Sequence, residues 1–262
     1  MNNLLHIAIQ ASIQAGHAIL EVYNSDNFEV ELKSDNSPLT LADRKAHRVI
    51  VEHLKETGLP ILSEEGRDIP FEERRNWKKF WLVDPLDGTK EFVKRNGEFT
   101  VNIALIENGI PVMGVVYVPV TDTLFFGMME GGAFRLENAG KQELKNVANR
   151  VQLPDNSNDS IYRVVASRSH MSSETEAYVE KLGKTHRDIE IVSKGSSLKL
   201  CLVAEGKADI YPRFGPTSEW DTAAGHALVL ASGGRVVLAE DETKELRYNK
   251  EDILNPYFVA KR

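Results

Sequence analysis

Apolar positions along the chain change period several times, and each change marks an element. Leu5, Ile9, Ile13, Gly16, Leu20 and Tyr23 recur every three to four residues, which predicts an amphipathic helix over residues 3–23 facing a core. A second helix follows, with Thr40 as its N-cap, Ala42, Ala46, Val49 and Leu54 on its apolar face and Gly58 closing it. Ile61-Leu62 opens a short strand. Leu82-Val83 reads as a buried strand that Pro85 is expected to stop, with Gly88-Thr89 leading into a short helix at Lys90-Glu91-Phe92. Between residues 99 and 137 the period becomes that of strands. Phe99 to Glu107, Ile110 to Val118, Thr123 to Met128 and Ala133 to Leu136 are separated by turn residues, which predicts an antiparallel meander. The stretch Gln152 to Ser160, rich in Asn, Asp and Ser, reads as a loop near a subdomain boundary. Strands at 162–166, 189–192 and 209–212 then alternate with helices at 173–182, 197–205 and 221–231, and strands at 235–238 and 257–260 close the chain. This order predicts an α+β part over residues 1–155, with an antiparallel sheet, joined to an α/β part over residues 156–262.

Composition narrows the class. A chain of 262 residues that is 42% hydrophobic can bury a large core, which excludes global disorder. Its apolar stretches are broken by charges well short of a membrane span, and no charged leader precedes a hydrophobic segment and cleavage site, so a soluble, unsecreted protein is expected. Cys201 is the sole cysteine, which rules out an internal disulfide, disfavours a cysteine-based zinc site and fits a reducing cytoplasm. The net charge of −7 argues against broad binding to nucleic acid, whereas a small phosphorylated ligand needs only a local pocket.

The candidate chemistry is carboxylate-based. Asp84-Pro85-Leu86-Asp87-Gly88-Thr89 sets two acids three residues apart at a strand end. They are expected to leave the sheet together, with the amides of Leu86, Gly88 and Thr89 directed at a metal-held phosphate. A solvated turn satisfies the same segment, because Asp-Pro and Asp-Gly are ordinary turn dipeptides. Glu64 also follows a strand and would lie beside the pair if the two strands are neighbours. Asp43 stands three residues after Thr40, a capping spacing that also allows a water-orienting carboxylate. Asp221 sits where a Gly-Pro-Thr-Ser loop meets an apolar helix, as an N-cap would, and the small Ala223-Ala224-Gly225 that follow allow close approach of another element. Gly195-Ser196-Ser197-Leu198-Lys199 offers amides, hydroxyls and an ammonium at a helix start, without matching a P-loop or a dinucleotide fingerprint. There is no His-Glu-x-x-His spacing and no Gly-x-Ser-x-Gly elbow, and Cys201 lies among Leu200, Leu202 and Val203 as a core thiol would.

Together, Glu64-Glu65, Asp84 to Thr89 and Trp220 to Gly225 resemble, in order and spacing, the metal-dependent, lithium-sensitive phosphomonoesterase superfamily that includes inositol monophosphatase and fructose-1,6-bisphosphatase. Within it the chain looks most like the bacterial 3'(2'),5'-bisphosphate nucleotidases of the CysQ type. Three segments carry the finer likeness: Val165 to His170, Lys194 to Lys199, and Arg213 to Asp221. Inositol monophosphatases typically precede the last aspartate with Cys-Trp, whereas Glu219-Trp220 stands here. The resemblance implies a layered αβαβα sandwich with the site between its halves. It implies Glu64, Asp84, Asp87, Asp221 and the Leu86 carbonyl as ligands of two or more Mg²⁺ ions, and Asp43 with Thr89 as the pair that activates the attacking water. It implies further that Glu64, Leu86, Asp87, Gly88, Thr89 and Asp221 meet the substrate around the phosphate. Ser169, His170, Lys199 and Arg213 are the candidates for the adenosine and 5'-phosphate pocket. The implied reaction is hydrolysis of adenosine 3',5'-bisphosphate to AMP and phosphate in the cytoplasm, with peripheral attachment to the inner face of the membrane compatible with the family. An inositol or sugar phosphatase of the same superfamily, and a nucleotide sensor without turnover, are the alternatives.

Overall fold

The computed structural model of the protein describes residues 3–25, 30–32, 38–142, 149–155, 161–166 and 171–262. The chain begins with helix α1 (Asn3–Tyr23), strands β1 (Val30–Leu32) and β2 (Pro38–Thr40), helix α2 (Leu41–Lys55), strand β3 (Ile61–Ser63) and the single turn α3 (Phe71–Arg74). Strand β4 (Lys79–Asp87) and the short α4 (Thr89–Val93) lead into β5 (Thr100–Glu107), β6 (Ile110–Val118), β7 (Thr123–Met128), β8 (Gly132–Glu137) and β9 (Val151–Leu153). The rest comprises β10 (Tyr162–Val165), α5 (Ser173–Gly183), β11 (Ile189–Val192), α6 (Leu198–Glu205), β12 (Ile210–Arg213), α7 (Glu219–Ala231), β13 (Arg235–Leu238) and β14 (Phe258–Lys261).

Strands β3 to β9 form one sheet in sequence order, antiparallel except for the parallel pair β3 and β4. The second sheet has the order β11-β10-β12-β14-β13, parallel in its first part and antiparallel at β14. Period-2 alternation decides which layer each strand residue joins. Trp81 and Val83 pack under α1 and α2, while their neighbours Phe80 and Leu82 face α6 and α7. The inner helices are covered on their far side by Val236, Phe258 and Ala260 of the second sheet, and Val164, Ile210, Val237 and Val259 face outward toward α5. The layers are therefore α1/α2, large sheet, α6/α7, small sheet and α5, the αβαβα order that the resemblance implies. Buried side chains on both faces explain why β4 and β5 read as apolar runs rather than alternating ones.

Three expectations need correction. Pro85 does not end β4, and the two acids do not leave the sheet together: Asp84 pairs with Asn102 and Asp87 with Thr100, so the ladder resumes one residue out of step. A bulge tolerates a residue without an N–H where a regular ladder does not. The expected loop from Gln152 begins inside an edge strand, since Gln152 pairs with Phe134. Strands β1, β2 and β9 span three residues each and leave no periodic signal of their own. Residues 156–160, the remainder of that loop, lie outside the described residues. Among the described residues no helix is long and apolar enough to cross a membrane.

Candidate metal and phosphate site

The acids gather where the two sheets meet the inner helices. Parallel pairing of β3 with β4 sets Ser63 opposite Val83, and the Glu64 N–H donates to the Val83 carbonyl at 3.1 Å, which carries Glu64 alongside Asp84. Asp84 is 1% exposed. Asp221 arrives on the first turn of α7, where one of its oxygens accepts from the Ser218 N–H at 2.8 Å as half of a capping box. Glu64, Asp84 and Asp221 each offer a carboxylate oxygen within 4.8 Å of the other two.

Such a cluster resists ionisation. Burial, reinforced by the charges of Glu64, Asp87 and Asp221, pushes the Asp84 carboxyl well above the usual range. Burial also pushes Asp221 up to about 7, with Asp87 and Glu64 adding to the effect and the Ser218 amide and Arg213 opposing it. Asp87 is raised by burial too, but the Lys199 ammonium and hydrogen bonds from Ser197 and Asn102 hold it back. Hard, all-oxygen donors that repel one another when charged fit a divalent cation such as Mg²⁺, whose charge relieves what burial and like charges impose. The donor set therefore suits the metal that the resemblance implies.

Asp43 closes the helix cap that its spacing suggested and also reaches Thr89. Its Oδ2 accepts from the Thr40 N–H at 2.7 Å and from the Thr40 hydroxyl, closing the cap of α2. Its Oδ1 accepts from the Thr89 hydroxyl at 3.3 Å, which brings together residues 46 positions apart. Thr89 starts α4 directly after Gly88, whose φ of +93° is left-handed; a Cβ there would sit 3.2 Å from both the Glu98 carbonyl and the Ser196 side chain. One expectation fails at this turn. The Leu86 N–H donates to Asp84 Oδ1 at 3.0 Å, so the carboxylate of the same segment takes the amide that was expected to face a phosphate. Nor does the five-residue α4 supply the dipole of a full helix.

Beside the acids opens a cavity of ≈ 610 Å³, bordered by Asp87, Gly88, Lys199, Arg213, Phe214 and Asp221. Lys199 Nζ donates to the Ser196 carbonyl at 3.0 Å, and Arg213 Nη2 to the Pro216 carbonyl at 3.0 Å. Arg213 Nε is buried without a hydrogen-bond partner. Ser169 and His170 lie outside the described residues. Two residues escaped the sequence reading: Asn102, which lies behind Asp87 and Ser197, and Glu98, which borders the cavity. Asn102 is 1% exposed and donates to Ser197 Oγ at 2.9 Å and to Asp87 at 3.4 Å, tying β5 to the start of α6. An asparagine within an otherwise apolar run was the available signal, because a buried amide requires partners. Glu98 accepts from the Gly195 N–H at 2.7 Å and pairs with Lys194, and nothing in its local sequence marks it.

Comparison with known proteins agrees with this geometry. The model of the inositol monophosphatase family matches residues 1–261. The 3'(2'),5'-bisphosphate nucleotidase CysQ of Salmonella typhimurium is 48% identical over 260 residues, covering 97% of this chain and 98% of the relative. The protein of the same name from Escherichia coli K12 is 46% identical with the same coverage. The crystal structure of CysQ from Bacteroides thetaiotaomicron, described as a bacterial member of the inositol monophosphatase family, superposes with a TM-score of 0.91 at 50% identity, covering 98% of this chain and 96% of that one. With the layer order, the three clustered acids and a family match over nearly every residue in agreement, the chain belongs to the inositol monophosphatase family.

Proposed function

We propose that the protein is a Mg²⁺-dependent 3'(2'),5'-bisphosphate nucleotidase that hydrolyses adenosine 3',5'-bisphosphate to AMP and phosphate. The observation that carries this reading is the meeting of the Glu64, Asp84 and Asp221 carboxylates with a cavity that Lys199 and Arg213 border. Full-length identity to proteins of that name supports the choice of substrate.

In this reading Glu64, Asp84, Asp87, Asp221 and the Leu86 carbonyl hold the metal. When bound, Mg²⁺ acidifies water and offsets charge on the phosphate and leaving oxygen. The chain's own groups do the rest. The Thr89 hydroxyl commits its proton to Asp43, leaving its oxygen to accept from the attacking water and set the direction of attack. Gly88 gives the backbone room to approach the phosphate. Lys199 and Arg213, with Ser169 and His170, receive the nucleoside and the 5'-phosphate, which needs cations that the acidic cluster does not provide. Residues 1–155 thus supply most of the metal ligands, and residues 156–262 the nucleotide contacts. A buried, single Cys201 suits catalysis in a reducing cytoplasm on a free small nucleotide.

The test is phosphate release from adenosine 3',5'-bisphosphate, inositol 1-phosphate and fructose 1,6-bisphosphate, with and without Mg²⁺ and with added Li⁺. The nucleotide should turn over fastest, only with Mg²⁺, and lithium should inhibit. Asp87→Asn should lower its turnover by about 10²–10³-fold, the scale on which one electrostatic contact at a reacting centre acts. Preference for inositol 1-phosphate, or full activity in that variant, would refute the reading.

A further inference from the structure

Glu219, which stands where inositol monophosphatases typically carry cysteine, has no part in the hydrolysis above, yet its environment is among the most constrained in the molecule. Its side chain is 0% exposed. A carboxylate out of water needs several donors, and the 249–255 segment supplies them. The Asn249 N–H donates to Glu219 Oε2 at 2.8 Å, and the Lys250 N–H and Nζ donate to Oε1 at 2.9 and 2.5 Å. Lys250 Nζ also reaches the Arg247 carbonyl and Asn255 Oδ1, each at 3.3 Å, so all three ammonium protons have acceptors. The same segment grips the residues around Glu219. The Glu219 N–H donates to the Ile253 carbonyl at 3.0 Å and the Asn255 N–H to the Thr217 carbonyl at 2.8 Å. Asn255 Nδ2 reaches the Ser218 carbonyl at 2.8 Å and Thr222 Oγ1 at 3.0 Å. Residues 217–222 are therefore held from outside on both sides of Asp221. From the other direction Arg74, 2% exposed, donates to Asn249 Oδ1 at 3.0 Å and to the Lys250 and Glu251 carbonyls at 2.6 and 3.0 Å. Arg74 lies on the connection between β3 and β4, the strands that deliver Glu64 and Asp84.

We infer that Glu219 is a positioning residue: through the 249–255 segment it fixes the first turn of α7, and with it the Asp221 carboxylate, against the elements that carry Glu64 and Asp84. The inference rests on the proposed metal reading. Three carboxyls within 4.8 Å of one another repel as they ionise, and they stay gathered for a metal only where the backbone behind them is held. The Glu219–Lys250 pair and its hydrogen bonds supply that hold without touching the metal or the substrate. A supporting residue of this kind acts on metal affinity, whereas a residue of merely structural value acts on stability alone.

Mn²⁺ binding to the metal-free protein, followed by the electron paramagnetic resonance of free Mn²⁺, separates the two without reference to turnover. E219Q and K250M should each weaken Mn²⁺ binding by roughly 10-fold or more, the usual scale for residues that support a metal ligand. E205Q serves as the control. Glu205 is a second buried glutamate, paired with Arg135 and Lys207 and remote in role from the acids, so its loss should lower the melting temperature and leave Mn²⁺ affinity within about twofold. Wild-type affinity in folded E219Q, or an equal loss in E205Q, would overturn the inference. If E219Q does not fold, unchanged affinity in K250M overturns it in the same way. A wild-type protein that releases phosphate with Mg²⁺ and binds Mn²⁺ keeps the proposed function standing whichever way the variants fall; a wild type that binds no Mn²⁺ sinks both.

Discussion

Asp43 faces two ways, and the two directions differ in how far they could be foreseen. Its contact with Thr40 is local, and a threonine followed at the third position by an acid is a capping signal that any sequence displays. Its contact with Thr89 depends on α2 packing beside β4, so no spacing along the chain reveals it. Asp43→Asn separates these functions. The asparagine oxygen can keep the Thr40 N–H, so helix and fold should survive with a loss of about 1 kcal/mol or less. The amide that then faces Thr89 is a donor, so the threonine hydroxyl must accept from it and can no longer hand its proton to residue 43. Turnover of adenosine 3',5'-bisphosphate should fall by about 10²–10⁴-fold at unchanged Mn²⁺ affinity. A fall in Mn²⁺ affinity that accounts for the lost turnover would instead place Asp43 among the groups that shape the metal site.

At the scale of elements, the long helices and the β5–β8 meander were legible because each repeats its period over many residues; the bulge in β4 was not. Asp84-Pro85-Leu86-Asp87 reads as a strand that stops, since proline cannot donate to a ladder, and only the partner strand shows that pairing resumes at Asp87. The consequence for the site is direct. One inserted residue turns Asp84 toward Glu64 and Asp221 and leaves Asp87 beside Asn102, Ser197 and Lys199, so two acids three positions apart receive different neighbours. Helix α7 shows the converse, a feature whose cause was visible and whose partner was not. The small residues after Asp221 announce close packing, and the structure supplies β6 at Gly114 as the other side. A Cβ on Gly114 would fall 2.2 Å from the Ala224 carbonyl oxygen, too near for either backbone to remain in place. Gly114→Ala should cost about 1–3 kcal/mol by thermal unfolding and, because α7 carries Asp221, should raise the Mg²⁺ concentration needed for half-maximal activity. Lost stability with an unchanged Mg²⁺ requirement would mean that the helix yields at its middle without moving its first turn.

For the whole molecule, the buried acids are a stress that the fold holds and that a bound cation would relieve, and pH makes that balance measurable. Burial raises Asp221 to about 7 and Asp84 well above the ordinary range, so in the metal-free protein both carboxyls bind protons in the native state that the unfolded chain has already released. Stability is then largest where these groups are protonated and falls as pH rises toward and through the raised values. His226 acts in the opposite sense, since burial presses it down to about 3 and the native state stays neutral where the unfolded histidine charges. Above about pH 6.5 the unfolded histidine loses its remaining charge, so the opposing contribution of His226, and of His47, which burial also lowers, fades and leaves the acids in view. Between pH 6.5 and 8 the melting temperature of the metal-free protein should therefore fall, by up to about 1.4 kcal/mol of stability per pH unit for each carboxyl still releasing its proton. If the deprotonated cluster holds Mg²⁺ as proposed, the stabilising increment of added Mg²⁺ should grow over the same interval and be larger at pH 8 than at pH 6.5. Calorimetric melts at the two pH values, each with Mg²⁺ and with a chelator, give both slopes. A metal-free melting temperature that climbs with pH, or a Mg²⁺ increment that does not change, would show that the Glu64, Asp84 and Asp221 cluster is not what couples cation binding to folding.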